Sequence, residues 1–249
     1  METGKKAALG STLMLLLAAG GMIFHIHYKN THDTMAVQAP VQSRVLSQDD
    51  YVYPRHLHPD TLQDAKDLTG KTIWVSAGGQ LDYYRDTGNH VDYSKPVGSL
   101  PGAEPLDVKG AFEEVAPKSG RAVARIPAGK RQVLLAFTLP KSSDPKTLYA
   151  TPVAYYDDGV YTFFSDQIFF YDDPHQLYHF WGPQMWAAID KHEPMLGMSE
   201  NQAMMALGEV TQPSSDDTGN RSVWFDNNGH PLTIVFQNNK AVSITPDKH

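Results

Sequence analysis

Leu148-Tyr149-Ala150-Thr151-Pro152-Val153-Ala154-Tyr155-Tyr156, then Asp157-Asp158-Gly159, then Val160-Tyr161-Thr162-Phe163-Phe164: this stretch decides the fold class. Two runs of β-forming residues flank an Asp-Gly pair, the residues that a tight hairpin turn favours. A further apolar run, Gln167-Ile168-Phe169-Phe170-Tyr171, follows at once. Upstream, Arg121-Ala122-Val123-Ala124-Arg125-Ile126 and Gln132-Val133-Leu134-Leu135-Ala136-Phe137 read as strands joined by a turn at Pro127-Ala128-Gly129-Lys130. Lys71-Thr72-Ile73-Trp74-Val75-Ser76 is another strand, stopped by Gly78-Gly79. A short helix over 60–67 precedes it, and a loop rich in Gly, Pro, Asn and Ser fills 86–105. Strands do not alternate with helices, so nothing suggests a doubly wound α/β sheet. Residues 51–172 are expected to form a small, twisted antiparallel sheet or open barrel.

Thirteen of the 26 aromatic residues lie between Tyr149 and Trp186, more than one strand face can bury alone. Either the helices that follow cover the second face, or it forms a contact platform for a partner or ligand. The candidate contact residues are Tyr161, Phe163, Tyr171, Tyr178 and Trp181. Asp173-Pro174 opens the helical segment, with Asp as N-cap and Pro at the first helical position. Gly182-Pro183 interrupts that segment, and a second helix begins at Gln184.

The carboxy-terminal part, within 173–249, carries sharper local signals. Ser199-Glu200-Asn201-Gln202 is a capping box, in which Ser caps the helix and Gln three residues on reaches back. Ala203-Met204-Met205-Ala206-Leu207 continues the helix, and Gly208 suits its end. After a polar loop come Ser222-Val223-Trp224-Phe225, Pro231-Leu232-Thr233-Ile234-Val235-Phe236 and Ala241-Val242-Ser243-Ile244, with turns at Asn227-Asn228-Gly229 and Asn238-Asn239. A helix followed by a three-stranded β-meander is expected. This pattern, through Gly197-Met198-Ser199, Leu207-Gly208, Trp224-Phe225, Gly229, Val235-Phe236 and Val242-Ser243-Ile244, resembles the SmpA/OmlA (BamE-like) family of outer-membrane assembly lipoproteins. The resemblance covers 183–245. It implies a non-enzymatic role contacting partner proteins or lipid in a bacterial envelope. The family's lipidated cysteine is absent, and Glu209-Val210 stands where its proline usually follows Leu-Gly.

At the other end, Lys5-Lys6 precede an uncharged apolar run from Ala7 to Phe24. That length suits a transmembrane helix, which needs about 20 residues, with the lysines cytoplasmic. Residues 1–30 are therefore expected to be an uncleaved signal anchor, and 31–50 a polar linker. The competing reading is a cleaved signal peptide, with Ala18-Ala19-Gly20 at the cut. The expected placement is single-pass in a bacterial inner membrane, with the folded part periplasmic. The expected fold class is thus α+β: a transmembrane helix, an antiparallel sheet or open barrel, then the helix–meander module.

The net charge of −7, with no basic cluster beyond Lys5-Lys6, disfavours nucleic acid as a partner. The absence of cysteine excludes thiol catalysis, Cys-zinc sites and iron–sulfur clusters. No nucleophile elbow and no phosphate-binding glycine loop is present. His175 and His179 stand i, i+4 on the expected helix, with Asp172 and Asp173 beside them. They are the candidate metal ligands, but no Glu base lies between the histidines. His56-Leu57-His58-Pro59-Asp60 imitates part of a His-x-His-x-Asp zinc signature, with Thr61 in place of the third histidine. Asp157-Asp158 and Asp172-Asp173 are carboxylate pairs that turn geometry alone would favour. No cofactor is expected. The leading expectation is a non-enzymatic binding or assembly module tied to the membrane by its amino-terminal helix, with an envelope protein as partner. The alternative is a small-ligand binder or metal-dependent enzyme with its site beside the aromatic hairpin.

Overall fold

A computed structural model describes residues 46–120, 123–209 and 212–247. Residues from Ser47 onward form one compact unit. It begins with a 3-10 turn at Gln48–Tyr51, an extended segment and helix α1 (Leu62–Lys66). The first sheet comprises β1 (Thr72–Val75), β2 (Asp82–Arg85), β3 (Gly98–Ser99), β4 (Pro105–Val115), β5 (Arg131–Thr138), β6 (Tyr149–Asp157), β7 (Val160–Phe163) and β8 (Phe169–Phe170). Helix α2 (Ser165–Ile168) connects β7 to β8. Then come α3 (Pro174–Leu177), a 3-10 turn at His179–Trp181, α4 (Pro183–Ile189) and α5 (Glu200–Leu207). The second sheet comprises β9 (Gln212–Pro213), β10 (Ser222–Phe225), β11 (Leu232–Gln237) and β12 (Lys240–Pro246).

The first sheet runs β3-β2-β6-β5-β4-β1-β8, with every pairing antiparallel, and curls into a half-barrel. One edge of β6 is shared by two strands: Tyr149 and Ala150 pair with β2, while Ala154 to Asp157 pair with β7. The register slips between Val108 and Gly110 in β4 and between Val133 and Leu134 in β5. Such bulges sharpen local twist and help a sheet curl.

Strand β5 is buried on both faces. Val133, Leu135 and Phe137 enter the main core with Ile73, Val75, Leu106, Val153 and Ile168. Leu134 and Ala136 point the other way, into a second cluster with Tyr84, Val91, Phe112 and Ala150. The 86–97 loop supplies that cover. Glu114 holds it, accepting hydrogen bonds from the Val91 amide at 3.3 Å and the Tyr93 hydroxyl at 3.0 Å.

The second sheet, ordered β12-β11-β10-β9, buries one face against the helices. Val223 and Phe225, then Leu232, Ile234 and Phe236, alternate inward against Trp186, Ile189, Met198, Ala203, Met205 and Leu207. Ser199 caps α5, accepting from the Gln202 amide at 3.2 Å, while the Gln202 side chain accepts from the Ser199 amide at 2.8 Å. Glu200 is buried on that helix. It receives the Gly219 amide at 2.8 Å and the Arg221 guanidinium through Nε at 3.0 Å and through Nη2.

These observations correct the sequence reading at several points. The expected α+β class gives way to a mostly sheet protein, with only five short helices among the described residues. The longest, α5, has 8 residues; at 1.5 Å per residue it is about 12 Å long, against about 30 Å of bilayer hydrocarbon. No described helix is long and apolar enough to cross a membrane. The single-pass inner-membrane placement with a periplasmic folded part, and the membrane as a partner through an amino-terminal helix, do not stand on that finding. Residues 1–45, where the anchor and most of the linker were read, lie outside the described residues. The expected meander gains a fourth strand, β9, from what was read as loop. The strand expected over 121–126 is a turn from Val123 on, with Val123 and Ile126 buried and Arg125 at φ +63°. The longest strand, β4, has no clear signal in the sequence, because the slip at Gly110 breaks its alternation.

Candidate functional site

Segment 47–60, a 3-10 turn followed by extended chain, runs from the second core cluster to the first. The Trp181 indole donates to Asp49 at 2.7 Å, and Val52 packs against the helix-covered core. Arg55 donates to the Tyr171 carbonyl at 2.7 Å and pairs with Asp172 at 3.1 Å. The Leu57 and His58 amides donate to the two oxygens of Asp166, at 3.2 Å and 2.8 Å. Pro54 and Pro59 hold the residues before them away from helix. His58 adopts φ +49°, a left-handed conformation uncommon outside glycine.

Strapped down in this way, the segment still leaves several large side chains exposed. Tyr51 is 64% exposed, Tyr53 83% and Leu57 41%. The His56 and His58 rings meet edge-on at 5.8 Å between centroids, and His58 Nδ1 lies 3.8 Å from Asp166 Oδ2. One ligand atom each from His56, His58 and Asp166 lies within 4.8 Å of the other two, the one such triad among the described residues. Burial pushes the Asp166 carboxyl up, but the His58 and Leu57 amides, with smaller help from Tyr171 and His56, hold Asp166 below the usual carboxylate range.

The sequence-derived candidates fall elsewhere. Tyr171 and Tyr178 are buried, Tyr161 and Phe163 are half-buried against the main core, and Trp181 is half-buried over the second. Tyr178 stacks on Trp181 at 4.4 Å, and Trp181 meets Trp186 at a tilt, 5.2 Å between centroids. Most of the aromatic platform is thus internal packing. His175 stacks on Trp186 at 4.1 Å, with Nδ1 3.0 Å from Asp173 and Nε2 3.1 Å from Asp190. His179 turns away to the Gln176 carbonyl at 3.0 Å. Both His175 nitrogens are engaged, so the pair does not converge on a common point. Asp157 pairs with Lys130, and Asp172 with Arg55.

Behind His175 lies a second group of charges. Asp190 approaches Lys141 at 3.9 Å. Burial raises the Glu104 carboxyl, Asp190 adds to that, and Lys141 opposes it. Burial lowers the His192 imidazole. His192 borders a cleft of about 160 Å³ lined by Gly78, Gly102 and Gly208. This is small beside the roughly 300–1,000 Å³ of ligand pockets. The cleft is set by backbone contact: a Cβ on Gly102 would stand 2.1 Å from the Met205 carbonyl oxygen. A depression of about 440 Å³ lies beside the 86–97 loop, next to His90, Asp92, Tyr93 and Ser119.

Asp166 is the residue that sequence reading missed. It stands 108 residues from His58, in a stretch with no motif, and only the fold brings it to the histidines. No protein-family model matches this chain, and no curated protein or solved structure matches it significantly.

Proposed function

We propose that this chain is a non-enzymatic binding module whose contact surface for a partner protein is the 47–60 strap. The observation that carries this is the row of large apolar side chains, Tyr51, Tyr53 and Leu57, held outward on a backbone anchored at Asp49, Arg55, Leu57 and His58. Tyrosines on a fixed backbone lose little conformational freedom on binding, and aromatic side chains dominate interface hot spots. The BamE-like pattern in 183–245 supports the same non-enzymatic reading.

A photo-crosslinking residue placed at Tyr53 in the producing cells tests it. A discrete protein adduct is expected from Tyr53, 83% exposed, and none from Val115, a 57% exposed control on β4. Binding of the recovered partner should weaken about 30-fold in Tyr53→Ala, the equivalent of roughly 2 kcal/mol for a hot-spot side chain. The same adducts from both positions, or undiminished affinity in the variant, would remove the strap as the contact surface.

A further inference from the structure

The strap carries a second feature that needs no partner protein. Its anchor to α2 is complete in the main chain, since each Asp166 oxygen already accepts one amide. That anchor is made without a hydrogen bond from either imidazole. Neither makes a side-chain hydrogen bond within 3.5 Å that the described residues show, yet both bring a ring nitrogen to the carboxylate they flank. His58 takes a left-handed φ just before Pro59, where the following proline already narrows the choice.

We propose that His56, His58 and Asp166 bind one divalent transition-metal ion of the zinc, cobalt, nickel and copper class. Two imidazole nitrogens and one carboxylate oxygen form a borderline donor set, which selects these ions over magnesium and calcium with their all-oxygen shells. Ligand atoms within 4.8 Å of one another need only a small inward rotation of two exposed rings to reach bonding distances near 2.0–2.2 Å. The carboxylate cannot swing away, because the Leu57 and His58 amides fix its plane. Such support from outside the ligand shell is common in metal sites. Three protein ligands leave at least one position for water or for a donor from another molecule. The ion would clip the strap to α2, joining residues 108 positions apart. This inference stands apart from the partner-binding reading, since the metal meets the free protein.

The test uses the full chain without a histidine tag, stripped with chelator and titrated with zinc chloride by calorimetry. Cobalt(II) absorption serves as an independent readout of the ligand set. One equivalent is expected to bind, with the visible bands of a low-coordinate cobalt site. His56→Asn and His58→Asn should each weaken binding at least ~10-fold, since second-shell losses alone reach that size. His175→Asn, away from the triad, should leave binding unchanged. The His56 ring is exposed, so His56→Asn is expected to fold normally and gives a clean answer even if Asp166→Asn loosens the strap. No stoichiometric zinc in the wild-type chain, or equal affinity in wild type and the two histidine variants, would overturn the proposal. Loss of binding only in His175→Asn would overturn it too, by moving the site to the Asp173–Asp190 cluster.

Discussion

The two sheets bury apolar surface in opposite ways. The half-barrel is covered on both faces of its central strand β5: Leu134 and Leu135 are neighbours in sequence, both fully buried, in different clusters. The four-stranded sheet is covered on one face only, so Phe225 is buried while its neighbour Trp224 is partly exposed and turned to Asp247 at 2.5 Å. The difference shows what closes each core. The second face of β5 stays dry only because something comes over it, and here the 86–97 loop does so, tied down by Glu114. The four-stranded sheet needs a cover on one face only, and α4 and α5 provide it.

The largest effects should come from the two cores. Phe236→Ala in the one-faced sheet should cost about 3–5 kcal/mol, and Leu134→Ala on the loop-covered face of β5 about 2–5 kcal/mol. Denaturant unfolding of both variants sharpens the comparison. If Leu134→Ala falls within about 0.5 kcal/mol of wild type, as a surface site would, the loop is not a true cover and the half-barrel is one-faced after all.

The buried pair under the second sheet gives the next effect. Glu200 and Arg221 have side chains only 3% and 12% exposed, and Glu200 also holds the Gly219 amide. Glu200→Ala leaves the guanidinium without its counter-charge, and breaking a buried pair from one side costs about 3–5 kcal/mol. Arg221 keeps the Ser215 carbonyl and some access to water, so the lower end of that range is expected. An unchanged thermal midpoint would mean the pair contributes nothing to closing the α5–β10 loop.

A smaller effect is expected at the helix that covers this sheet. Ser199→Ala removes the cap on the Gln202 amide and should lower stability by about 1 kcal/mol. A larger loss would show that Ser199, itself buried, also matters for packing against the second core.

How far each region could be read from its residues follows from the same contrast. In β10 and β11 one face is dry and the other wet, so Val223, Phe225, Leu232, Ile234 and Phe236 alternate plainly. The Ser199–Gln202 capping box is local chemistry, complete within four residues. In β5 both faces are dry, so the run Val133-Leu134-Leu135-Ala136-Phe137 reads as a strand but says nothing of what covers it. In β4 the slip at Gly110 reverses the alternation halfway, and the strand reads as two unrelated fragments. The run Arg121 to Ile126 looks extended, yet its buried Val123 and Ile126 come from a turn. The aromatics of 149–186 looked like a platform, but Tyr171, Tyr178 and Trp186 fill the seams around the two cores. His56 and His58 were visible as a pair. Their third partner was not, because a ligand set assembled from two distant segments leaves no spacing to read.

Both functional proposals depend on one structural statement: Asp166 in α2 holds the strap by the amides of Leu57 and His58. Native-state hydrogen exchange at those two amides tests it most directly. Protection well above that of an open chain is expected in the wild-type protein, lost in Asp166→Asn, and increased by stoichiometric zinc. Exchange of both amides at open-chain rates in the wild type, with no response to either change, would contradict the account.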